Sequence, residues 1–154
     1  MRARFFLLVI SAALLQSSPA TAATGRIIKV LPHLLDLQGH HALSPSLYDR
    51  DAYQARLRQH PDLVSGIRFD VQWKAKGPMS APLSVIVEMR GVLEGIEPKQ
   101  YVLEEQLQST GRFSHWARLV LSGDEYKNFG QVTAWRVSLW EGDKFLGEQK
   151  SFLW

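Results

Sequence analysis

The chain has 154 residues, with 18 Lys and Arg against 15 Asp and Glu, and no cysteine. The missing cysteine excludes disulfides, thiolate metal sites, thiol nucleophiles and a lipid-modified amino-terminal cysteine together. Lys and Arg are scattered, without the dense basic runs that track a phosphate backbone, so the composition gives no sign of a nucleic-acid partner.

The first segment joins a short basic patch, Met1 to Arg4, to an apolar run, Phe5 to Leu15, and then to Pro19 and the small residues Ala20, Thr21 and Ala22. That is the layout of a secretory signal peptide. The run is well short of the roughly 20 residues needed to cross a bilayer. Residues 1–22 are therefore expected to be removed as a signal peptide, leaving 23–154 as one domain of 132 residues with no transmembrane segment. Loss of Arg2 and Arg4 leaves 16 basic residues against 15 acidic ones, close to neutrality. An exported domain of this size without disulfides fits a bacterial envelope, so the expected location is periplasmic or secreted.

Ile27 to Leu37 reads as a first strand, interrupted at Pro32, which cannot donate to a ladder and so belongs on an edge strand or at a bend between sheets. Residues 46–59 read as a short helix. Ser46 and Asp49 fit a capping pattern, Asp49 and Asp51 sit in the first turn, Arg56 and Arg58 in the last, and Tyr53 and Leu57 form the buried stripe. From Ile67 the period becomes two, with Ile67, Phe69, Val71 and Trp73 on one face, and Leu83, Val85, Val87 and Met89 repeat it after a Gly/Pro loop. The two strands are expected to pair as a hairpin-like unit.

Tyr101 to Leu107 makes a weaker, more polar strand suited to a sheet edge, with Glu105 breaking its apolar face. Trp116 to Leu121 is the next strand. Ser122 to Gly130 follows as one helical turn, with Ser122 as cap and a terminating glycine. Val132–Trp140 and Lys144–Trp154 then flank a Glu141, Gly142, Asp143 turn, and their conflicting parities indicate a bulge.

The sum is an all-β, immunoglobulin-like antiparallel β-sandwich of about seven strands with one short inserted helix. In this respect the chain resembles the immunoglobulin-like and fibronectin type III-like superfamily from Arg26 to Trp154. The resemblance lies in the strand number, the buried Trp73 on an early strand and the Ser122-to-Gly130 corner before a long final hairpin. The chain lacks both cysteines of the immunoglobulin pattern, and the resemblance implies a fold without assigning functional residues. The stretches Trp135 to Val137 and Ser151 to Trp154 also resemble the ends of small exported bacterial proteins, which implies no activity.

Chemistry-bearing residues are sparse. His40 and His41, near Asp36, Asp49 and Asp51, are the most ligand-like, but neighbours on a strand point to opposite faces, so no metal is assigned and a solvated loop is the expected role. No G-x-S-x-G, P-loop, G-x-G-x-x-G or H-E-x-x-H occurs, and no catalytic residue or cofactor is assigned. Of five tryptophans, Trp73, Trp116 and Trp135 are expected in the core, and Trp140 and Trp154 are the candidates for an exposed ligand-binding aromatic surface. The aromatic terminus is expected to pin the last strand into the sandwich, so that removing Phe152 to Trp154 would destabilise the domain. The expected function is that of an exported, non-catalytic interaction module binding an envelope protein partner. A carbohydrate-binding module is the alternative and a small hydrolase the second alternative.

Overall fold

The structure, a computed structural model, describes residues 23–93, 97–108 and 113–154; the expected signal peptide lies outside them. Strands β1 (Thr24–Asp36), β2 (Val64–Lys76) and β5 (His115–Ser122) form one sheet in the order β1-β2-β5. Strands β3 (Leu83–Val92), β4 (Lys99–Leu107), β6 (Gln131–Glu141) and β7 (Lys144–Lys150) form the other, in the order β4-β3-β6-β7. Helix α1 (Leu47–Gln59) is inserted between β1 and β2, and α2 (Gly123–Phe129) joins β5 to β6. The chain is an all-β antiparallel sandwich, as its period-two segments imply. No helix among the described residues is long and apolar enough to cross a membrane.

The core lies where alternating faces meet. Ile67, Phe69, Val71 and Trp73 of β2 pack with Val85, Val87 and Met89 of β3 and with Val137 and Leu139 of β6. Each such side chain contributes about 1.5–3 kcal/mol by leaving water. The expected β2–β3 hairpin does not form. β2 pairs with β1 and β5, β3 pairs with β4 and β6, and the two strands face each other across the core. Each carries one predominantly apolar face, and the 77–82 loop, with its two prolines, lets the chain cross between layers instead of turning back.

β1 is continuous through Pro32. The N–H and C=O of Leu34 point away from β2, toward the Gln54 side chain, and Pro32, two residues earlier, presents its missing N–H to the same open side. No ladder bond is lost, which is why proline is tolerated on this edge strand.

Side chains close the other margins. Glu105, which breaks the apolar face of β4, accepts the backbone N–H of Arg118 at the edge of β5, 3.1 Å away, and links the two sheets. On the opposite side β7 meets β1 so closely that a Cβ on Gly147 would lie 3.3 Å from the Cα of Arg26.

Both helices follow their capping signals with one exception. Ser46 accepts the Asp49 N–H at 3.4 Å, whereas the Ser122 side chain makes no capping bond to α2. Gly130 ends α2 with φ +89, donating its N–H to the Tyr126 carbonyl at 2.8 Å. The buried stripe of α1 is Gln54 and Leu57, with Tyr53 only half-buried. A buried glutamine is invisible to an apolar periodicity.

The end of the chain also differs from expectation. β7 stops at Lys150, and the expected bulge falls between Leu139 and Trp140. Phe152 and Leu153 are exposed, so the aromatic terminus does not pin the sandwich from within. Deleting Phe152 to Trp154 is accordingly expected to cost less than about 1 kcal/mol in chemical denaturation, in line with surface changes. A larger loss would show that the tail supports the core.

Candidate binding cleft

The two sheets meet at β1 and β7 near Gly25 and Gly147 and then diverge. β7 pairs with β6 as far as Arg136 opposite Lys150. Ser151 adds one further link, its N–H donating to the Trp135 carbonyl at 2.9 Å and its hydroxyl accepting the Trp135 N–H at 3.0 Å. The chain then turns, Trp154 N–H donating to the Ser151 carbonyl, and the Trp154 ring settles over the guanidinium groups of Arg90 and Arg136 at 4.4 and 5.0 Å. Arg136 is itself held by a two-pronged ion pair with Glu88, at 2.6 and 2.8 Å. The tail therefore folds over the outer face, and Gln131–Ala134 of β6 pair only with β3 among the described residues.

This stretch, paired on one side only, is one wall of a cleft of about 580 Å³, a size at which ligand sites occur. Pro32 and Leu34 of β1 form the facing wall, Leu57, Val64, Ile67 and Trp135 lie beneath, and Tyr126 enters from α2. Burial raises the Tyr126 phenol above its usual pKa of 10.0. Among the described residues, the charged ones lining the cleft are Arg58 and Lys127, and no carboxylate or imidazole lines it.

Gln54 fixes α1 against this wall. Its amide oxygen accepts the Leu34 N–H at 2.8 Å, and its amide nitrogen donates to the carbonyls of Leu34 and His41 at 2.9 and 2.8 Å. The side chain thus acts as a one-residue strand, closing the β1 edge at Leu34 while leaving the β6 edge open.

The structure does not bring His40 and His41 together. His40 turns to Asp36, Nδ1 to Oδ2 at 3.7 Å, while the His41 ring packs 5.0 Å from that of His33. Asp36 is buried. Burial alone would raise its pKa, but hydrogen bonds from the Tyr53 hydroxyl (2.6 Å) and the N–H groups of His40 and Gln38 hold it below the ordinary 3.8. His33 is 8% exposed and lies 3.6 Å from Asp70, which also takes Arg68 at 2.7 Å and Arg118 at 3.4 Å. Among the described residues no group of three or more His, Cys, Asp or Glu is arranged to hold a metal ion.

Trp140 and Trp154 are both half-buried on the outer side of the β4-β3-β6-β7 sheet. The Trp140 indole N–H donates to Ser138 at 2.8 Å, and its ring meets Phe145 edge-on at 5.4 Å. The exposed tryptophan is Trp116, at 53%, which the sequence placed in the core. Ala117, Leu119 and Leu121 take the inward parity of β5, which forces Trp116 outward. Gln54 and the unpaired β6 edge are the site residues that the sequence did not reveal.

No protein-family model, curated protein or solved structure matches the chain.

Proposed function

We propose that this protein is an exported, non-catalytic interaction module of the bacterial envelope, capturing an extended segment of a protein partner by strand addition to β6. The observation that carries this reading is the Gln131–Ala134 stretch, paired only with β3 among the described residues and forming the wall of an apolar cleft. Main-chain hydrogen bonds to such an edge supply affinity, and the cleft supplies specificity for alternate side chains. The open stretch is about 13 Å long at 3.3 Å per residue, enough for a short segment. Arg58 and Lys127 on the cleft walls favour a partner carrying acidic residues beside its apolar ones.

Export rests on the basic, apolar and small-residue order of positions 1–22. Strand order supports the immunoglobulin-like kinship: the first, second and fifth strands share one sheet and the third, sixth and seventh the other. The fourth strand sits beside β3 instead of joining the fifth.

A fluorescent peptide alternating valine and serine between terminal aspartates tests the reading by anisotropy. It is expected to bind residues 23–154 saturably, and Val132→Asp, which places a charge on the cleft wall, is expected to weaken binding at least about tenfold with the fold intact by circular dichroism. Equal binding by the wild type and the variant, or none by either, would remove strand addition at β6.

A further inference from the structure

The outer face of the β1-β2-β5 sheet carries a second feature, independent of the cleft. Its cross-strand rows can be read from the register. Thr24 lies opposite Lys76, Arg26 opposite Lys74, and Gln72 stands between Lys29 on one side and Trp116 on the other. Arg26, Lys29 and Lys76 are exposed and Lys74 half-exposed. Arg26, Lys74 and Lys76 share a shallow pocket of about 270 Å³, and among the described residues none of the four cations has an acidic side chain within ion-pairing distance.

Like charges directly opposite on neighbouring strands disfavour the sheet, so the Arg26–Lys74 pair opposes folding. Further along the same face the arrangement is different, because Asp70 sits between Arg68 and Arg118 and pairs with both. Beside the uncompensated cations, opposite Gln72, stands the exposed Trp116, at 53%. An uncompensated cationic patch bordered by an outward-facing tryptophan has the composition of a surface that meets a bilayer. The cations answer anionic headgroups, and the indole lies at headgroup depth.

We infer that this face docks on anionic phospholipid membranes, with Arg26, Lys29, Lys74 and Lys76 contacting headgroup phosphates and Trp116 entering the interface. The cleft is on a different part of the molecule, between the sheet margins, and remains open when the protein lies on a membrane in this way.

The test is co-sedimentation of residues 23–154 with vesicles of phosphatidylglycerol and phosphatidylcholine, compared with phosphatidylcholine alone. Binding is expected only to the anionic vesicles, weakening as salt rises, with a blue shift in tryptophan emission that is absent in Trp116→Ser. Each cation removed is expected to lower partitioning about fivefold. Lys74→Glu should lower it further while raising thermal stability, since it converts the Arg26 pair to opposite charges, and this separates lost docking from lost folding. Equal binding to both vesicle types, unchanged binding by Lys74→Glu, or an emission shift that persists in Trp116→Ser would overturn the inference. So would saturation of the face by inorganic phosphate or single-stranded oligonucleotide with no vesicle binding, reassigning it to a free phosphate or a nucleic acid.

Discussion

Replacing Gln54 by alanine is expected to lower unfolding free energy by about 3 kcal/mol and to abolish peptide binding in the cleft. The side chain is 6% exposed, yet it sits on a helix whose other residues are mostly polar, so α1 has little apolar surface with which to dock. Its amide satisfies the Leu34 N–H, the Leu34 carbonyl and the His41 carbonyl together. Removing it leaves these groups short of partners beside a partly closed cleft, each at a cost of about 1–3 kcal/mol where water does not reach. Leu57, 1% exposed, and the Tyr53 hydroxyl bonded to Asp36 then remain as the anchors of α1. Arg58→Ala on the same helix is the control and should change stability by less than about 0.5 kcal/mol, because it touches only the rim. Urea titration of the two variants and the wild type checks this; equal midpoints for Gln54→Ala and wild type would show that α1 is held by other contacts.

Acid should weaken the fold in a window set by His33. Burial pushes its pKa from 6.5 down to about 4, aided by the positive surroundings of His41, Arg68 and Arg50 and opposed by Asp70. Asp70 cannot hold it up, being already shared with Arg68 and Arg118. His41 is lowered as well, by burial first and then by Arg68, with Asp70 opposing.

The sign follows from proton counting. Below pH 6.5 the unfolded chain protonates these histidines while folded His33 stays neutral to about pH 4, so the unfolded state binds more protons and stability falls with pH. Above 6.5 they contribute no slope. The limiting slope is about 1.4 kcal/mol per pH unit for one histidine, and the total for His33 about 3 kcal/mol at most.

The carboxylates act later. Asp36 is held below 3.8 by its hydrogen bonds, and Glu141 is held below 4.5, first by the Ser80 N–H and hydroxyl. Both therefore give up stability only as pH falls below their ordinary values. Denaturation midpoints between pH 7 and pH 5 should slope downward for the wild type and much less for His33→Gln. Parallel curves would place the acid sensitivity elsewhere.

The parts of this fold legible in the sequence are those written in side-chain parity. β2 and β3 announce their buried faces because every second residue is apolar, and both helices announce their ends through Ser46, Gly130 and the charges of their first and last turns. Partnership is not written that way. Two strands with one apolar face each pair side by side or stack across a core equally well, and the separation of β2 from β3 emerges only when β5 and β6 claim their edges.

The cleft was illegible for a related reason. Its defining features are an unmade ladder at Gln131–Ala134 and a polar side chain, Gln54, acting as backbone. Neither leaves a periodic trace. Trp116 was misplaced because tryptophan reads as core by composition, whereas its strand neighbours Ala117 and Leu119 fix the face by position.

Amide hydrogen exchange of residues 23–154, with and without the aspartate-flanked peptide, tests strand addition most directly. The account predicts slowed exchange concentrated in Gln131–Ala134, the stretch of β6 that β7 leaves unpaired. Protection that appears instead along β4 or β5, or no protection at saturating peptide, would contradict it.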